Sequence, residues 1–300
     1  MSLFSGLSAF PITPTDETGR IDAPAFAGLL ERLAVAKVHS VGLLGSTGGY
    51  AYLTRDERRR AISIAVDTLN KRVPVIVSVG TIRTDEAENL ARDAQAEGAD
   101  GLLLAPVSYT PLTQEEAYHH YVAVASATDL PLCIYNNPST THFNFEPELL
   151  ERLAHVPNIS AVKMPLPADR DFAGQLARMR STSPEGFAVG YSGDWGCGEA
   201  LLSGADIWFS VIGGLLPLAS MKLTRAAMAG DDGEVARINA LFEPLWGLFQ
   251  EFGSLRVVYA AMNLLELSQA QPHRPLLPLS GEDQQRVRAA LEGLAELEQA

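Results

Sequence analysis

Lysine is scarce in this chain. Among 300 residues there are four, Lys37, Lys71, Lys163 and Lys222, and arginine supplies the rest of the 23 positive charges. Surfaces that could grip a phosphate backbone are scarcer still. Aspartate and glutamate number 36, the formal net charge is −13, and the one basic run, Arg58-Arg59-Arg60, follows Asp56 and Glu57 in a helical pattern. Such a surface repels nucleic acid and anionic lipid. Two cysteines, Cys133 and Cys197, are too few for a disulfide framework or a cysteine-based zinc site. Cys133, in the apolar run Leu132-Cys133-Ile134, is expected to be buried packing. No apolar stretch reaches 18 residues, so no membrane span is expected. The N-terminal Met1-Ser2-Leu3-Phe4 lacks the basic segment of a secretory signal, which makes the cytoplasm the expected location. The histidines (39, 119, 120, 142, 155, 273) show no ligand spacing, and no metal is expected. His119 and His120 are adjacent in a helical pattern, where neighbours diverge, and both are expected at the surface.

What the chain has is a repeated alternation. Strand-length apolar runs begin at Leu7, Ser40, Val73, Gly101, Pro131, Ile159, Phe187 and Ile207, about every 30 residues, the size of one strand-plus-helix unit. Most are continuously apolar, as expected of parallel strands covered on both faces. Helix starts lie between them. Thr54 to Glu57 and Thr113 to Glu116 have the spacing of capping boxes, and Asp85 and Glu86 follow Thr84 where a helix dipole favours acids. Gly98 suits a helix end. Eight such units predict an α/β fold, a (β/α)8 TIM barrel, over residues 1–220, with an open doubly wound sheet as the competing architecture. Residues 221–300 read as a C-terminal helical region packed on the barrel or at a subunit interface, within helices at 216–230, 233–251, 253–268 and 280–298.

A barrel of this kind carries its chemistry where its strands end. Lys163 sits there, in Ile159-Ser160-Ala161-Val162-Lys163-Met164-Pro165. An ammonium group on an apolar strand is costly to desolvate. It either pairs with a carboxylate or snorkels to solvent, or it is an amine kept for attack on a carbonyl. Gly45-Ser46-Thr47-Gly48-Gly49 ends the second strand, and its amides and hydroxyls suit an anion, although an ordinary glycine turn reads the same way. It is neither a Walker A loop nor a GxGxxG turn. Tyr135 ends the fifth strand as either a proton shuttle or an aromatic core residue. Loop, phenol and amine together suit a 2-keto acid such as pyruvate.

At these residues the chain resembles the dihydrodipicolinate synthase/N-acetylneuraminate lyase family of pyruvate-dependent class I aldolases. Gly45-Ser46-Thr47-Gly48 is similar to the family's carboxylate loop, and Tyr135-Asn136-Asn137-Pro138 to its Tyr-Asn-x-Pro motif. Lys163 stands 28 residues after Tyr135 (163 − 135), as the family's Schiff-base lysine does. The resemblance implies Lys163 as nucleophile and Tyr135 as proton shuttle. It implies Ser46, Thr47 and the Phe209 carbonyl as contacts of the acid, and no cofactor beyond a covalent imine. It implies a 2-keto acid and an aldehyde as partners in a homo-oligomer, a dimer or tetramer. Several positions depart from the pattern. Thr140 stands where the synthases have an arginine for the second substrate. Val107 and Ser108 replace paired tyrosines, with Tyr109 one step on, and Gly49 replaces an acidic residue. Asp194 is followed by Trp195 in place of the lyases' second acid. The expected activity is therefore an aldolase or lyase on another 2-keto acid, with Tyr109, Thr140, Phe143, Asp194 and Trp195 as candidates for a second-substrate pocket. A sugar-acid dehydratase by the same imine, dihydrodipicolinate synthase proper, and a non-catalytic keto-acid-binding homologue are the alternatives.

Overall fold

A computed structural model describes residues 2–299. Eight parallel strands close into a barrel in sequence order: β1 (Gly6–Ala9), β2 (Ser40–Leu43), β3 (Val75–Ser78), β4 (Gly101–Leu104), β5 (Leu132–Tyr135), β6 (Ile159–Pro165), β7 (Ala188–Ser192) and β8 (Ile207–Ser210). The helices are α1 (Ala23–Ala36), α2 (Arg55–Leu69), α3 (Thr84–Ala96), α4 (Gln114–Ala125), the short α5 (Pro138–Thr141), α6 (Pro147–Ala154), α7 (Phe172–Thr182), α8 (Asp194–Leu202), α9 (Pro217–Met228), α10 (Asp232–Phe252), α11 (Ser254–Leu264) and α12 (Gly281–Glu292). No helix among the described residues is long and apolar enough to cross a membrane.

The continuous apolar runs have a simple cause. Alternate strand residues point to opposite faces, and both faces are covered. Leu7, Val41, Val75, Leu102, Ile134 and Val189 belong to the core between strands and helices. Phe10, Ile76, Leu103, Cys133, Ala161 and Phe209 belong to a second core inside the barrel. Helix α9 packs on β1 and α1 and completes the outer ring, so the expected boundary at residue 220 falls within it. Helices α10, α11 and α12 pack on one another, and α10 also rests on α8 and α9.

Two local readings met different neighbours from those the sequence suggested. The box at Thr113 is complete, with Glu116 closing back on the Thr113 amide. At Thr54 only half forms: Thr54 accepts from the Glu57 amide, while the Glu57 carboxylate accepts from Ile21 N at 2.8 Å. The acid there ties the segment before α1 to α2. His119 is exposed as expected, but His120 is buried, with Nδ1 2.9 Å from Thr84 Oγ1. One helix face looks outward and the next residue meets α3, which the spacing alone does not distinguish.

Candidate active site

Register explains how residues 28 positions apart meet. Tyr135 on β5 pairs with Lys163 on β6, and Lys163 with Gly190 on β7. Register partners in a parallel pair point to the same face, so the phenol and the amine both turn into the barrel. Lys163 is 6 % exposed. Its Nζ lies over three rings, 4.4 Å from the centroid of Tyr135, 4.5 Å from Phe10 and 5.5 Å from Phe209. Among the described residues no carboxylate reaches ion-pair distance of it. The paired-lysine and snorkelling readings therefore both fail. The amine borders a cavity of about 600 Å³ that Ser46, Thr47 and Tyr135 also line.

Tyr135 is held by short polar contacts. Its Oη is 3.0 Å from Ser46 Oγ and accepts from Asn137 Nδ2 at 3.1 Å. Ser139 Oγ in turn donates to Asn137 Oδ1 at 2.7 Å. Burial pushes the phenol pKa up, but the Lys163 charge and hydrogen bonds with Ser46, Asn137 and Thr140 outweigh it, and the net direction is down from 10. An amine, an acidified phenol and hydroxyls facing one cavity are the parts that imine chemistry on a keto acid needs.

The second-substrate candidates divide. Thr140 and Trp195 line the cavity. Tyr109 does not: it is 94 % exposed on the loop after β4. Phe143 is buried against Phe145, with ring centroids 4.8 Å apart. Asp194 reaches the cavity wall, but its carboxylate is committed elsewhere. Trp208 Nε1 and Ser210 Oγ each donate to Oδ1 at 2.8 Å, and Ile212 N donates to Oδ2 at 3.3 Å. Burial raises its pKa to about 6 against these bonds. Phe209 is among the residues inside the barrel, and its ring faces Nζ.

Sequence reasoning missed several wall residues. Phe10 follows β1, and its ring fills space that side chains at Gly42 and Gly45 would occupy. Arg170 comes from the loop after β6, where its Nε and Nη2 both bond one oxygen of Glu199. Phe249, Gly253 and Ser254 come from the junction of α10 and α11, so the C-terminal helices supply part of the wall. Nothing in local sequence marks them, because they meet the barrel only after folding. The departure at Gly49 has a visible cause: its φ is +69°, and a Cβ there would lie 2.8 Å from His273 Nε2, whose ring stacks on Tyr52. Among the described residues no group of three or more histidine, cysteine or acidic side chains comes together as a metal-ligand set.

A model of the dihydrodipicolinate synthetase family matches residues 3–294. The 4-hydroxy-tetrahydrodipicolinate synthase of Methylococcus capsulatus is 35% identical over 285 residues, 93% of this chain and 94% of that one. The crystal structure of dihydrodipicolinate synthase from Agrobacterium tumefaciens str. C58 superposes with a TM-score of 0.96 at 61% identity, covering 97% of this chain and 98% of the other. That of the chloride-inhibited enzyme from Acinetobacter baumannii, complexed with pyruvate, gives 0.89 at 28% identity over 98% and 99%. With a match over nearly its whole length and an eight-stranded barrel of the same shape, the chain belongs to the dihydrodipicolinate synthetase family of lyases.

Proposed function

We propose that the protein is a Schiff-base-forming lyase that acts on pyruvate or a related 2-keto acid through an imine on Lys163. The observation that carries this reading is a buried lysine with no carboxylate partner among the described residues, facing a cavity beside an in-register tyrosine. The relative crystallised with pyruvate supports the keto-acid class. Ser46 and Thr47 hold the carboxylate. Neutral Lys163 attacks the adjacent ketone, Tyr135 delivers the proton with which the carbinolamine oxygen leaves as water, and the protonated imine then withdraws electrons for carbon–carbon or carbon–oxygen cleavage or formation.

The cavity wall favours a hydroxylated partner. Thr140, Ser139, Ser192 and Ser254 line it, and Arg170, its other cation, is already shared with Glu199. Dihydrodipicolinate synthase itself is the second reading, favoured by the names of the relatives and opposed by Thr140 at the arginine's position. An assay for 4-hydroxy-tetrahydrodipicolinate, run beside product analysis of sugar-acid turnover, separates them. Assembly as a homo-oligomer is supported by Tyr109 and by Ile82, 94 % and 64 % exposed on the loops after β4 and β3. The imine is tested by incubating the protein with pyruvate, reducing with borohydride and mapping the adduct by mass. The expected adduct is on Lys163 and is absent from Lys163→Ala. An adduct that persists in that variant sinks the mechanism.

A further inference from the structure

We propose that Phe10 and Phe209 complete, with Tyr135, an aromatic cage that stabilises positive charge on the Lys163 nitrogen, and so the protonated imine. This rests on the imine reading. A ring carries negative potential on its face and attracts a cation within about 6 Å of its centroid. Three rings meet that condition at Nζ, at 4.4, 4.5 and 5.5 Å. Phe10 and Phe209 cross edge to face, 6.2 Å apart and 64° between planes, so they reach the nitrogen from different directions.

The chain makes room for these rings. A Cβ on Gly42 would overlap the Phe10 ring and one on Gly45 would lie 2.7 Å from its Cδ1, while one on Gly190 would meet Ile207 first, at its side chain and carbonyl oxygen, and then Phe209 Cε2 at 2.8 Å. Glycine near the end of β2 and just after it therefore clears the space that the Phe10 ring fills, and Gly190 clears space shared by Ile207 and Phe209. The cage also answers a question of charge. Asp194, a buried carboxylate on the wall of the same cavity, is engaged by Trp208, Ser210 and Ile212. A carboxylate counter-ion beside Nζ would repel the keto acid's own carboxylate, whereas ring faces stabilise the cation and carry no net charge.

When the amine adds to the ketone and the carbinolamine oxygen leaves as water with a proton from the Tyr135 relay, the nitrogen keeps one hydrogen and one positive charge. That charge is what the rings face. The test replaces Phe10, and separately Phe209, with phenylalanines carrying one, two or three ring fluorines. These keep the ring and weaken its face potential stepwise. Borohydride-trapped adduct is measured against pyruvate concentration at alkaline pH, where the free amine is neutral and only the imine carries the charge, with Tm as the check on folding. The expected result is a graded rise in the pyruvate concentration for half-trapping, about two- to thirtyfold across the series, with Tm nearly constant. Trapping indifferent to fluorination in protein of unchanged Tm overturns the cage and leaves the imine standing. A wild-type protein that traps nothing removes both.

Discussion

At the scale of single residues, Tyr135 is where environment and chemistry are most tightly joined. Its pKa is lowered from 10, burial opposing and the Lys163 charge with three side-chain contacts prevailing. A phenol so placed gives and takes protons at lower pH than a free one. Tyr135→Phe is expected to slow pyruvate adduct formation by about 10²- to 10⁴-fold while leaving the melting temperature close to wild type. Rapid-quench borohydride trapping across pH checks it. The wild-type rate should decline as pH rises through the lowered phenol pKa, below 10, because the phenol must be protonated to deliver its proton, and the variant should lack that limb. Tyr135 and Lys163 could be singled out in the sequence by their places on apolar strands, but those places left a core tyrosine and a paired lysine open, and the roles came from the resemblance. Phe10 could not be singled out, since nothing in Ala9-Phe10-Pro11 says that its ring turns inward over Gly42.

At the scale of elements, Asp194 changes meaning. In sequence it is an acid at a strand end, open to substrate. In the fold it begins α8 and pins β8, accepting from Trp208, Ser210 and Ile212. Its pKa is raised from 3.8 to about 6, with burial as the first cause. The sign follows: the folded state binds this proton more tightly than the unfolded one, so the contribution of Asp194 is greatest at low pH and declines as pH rises from about 4 to about 6. The decline is of order 3 kcal/mol. Asp194→Asn keeps an acceptor for Trp208 and Ser210 but sets its amide against the Ile212 N–H. It is expected to lose about 1–3 kcal/mol of stability near pH 4 and to lose that pH slope, so its deficit should shrink by pH 7. Urea melts at the two pH values measure both. The two capping boxes carry the same lesson. Thr113 and Thr54 share one spacing, and only the presence of Ile21 N near Glu57 makes their outcomes differ.

At the scale of the whole molecule, the C-terminal helices and the barrel share one site. Phe249, Gly253 and Ser254 line the cavity that holds Lys163. Behind them Phe242 and Trp246 stack at 4.7 Å within the large core that also covers the strands. Removing residues 221–300 would cut α9 in its interior and expose that apolar face to water. The truncated chain is expected to lack a cooperative thermal transition and to trap no pyruvate, read by circular dichroism and by mass. A well-folded truncated barrel that still forms the adduct would show the helices to be dispensable.

The eight strands, their order and the motif residues were decided by local pattern. A strand buried on both faces must be apolar throughout, and a strand end must break that pattern where polar groups collect. Tertiary structure alone decided which polar groups face the cavity. Barrel closure brings Tyr135 beside Lys163, turns Tyr109 outward and commits Asp194 to α8 and β8. It also brings Phe10, Arg170 and Ser254 to the wall of the cavity that Lys163 borders. The reason is geometric: alternation tells which strand residues share a face, but which face is inside, and what arrives there from loops and distant helices, depends on the closed register of all eight strands.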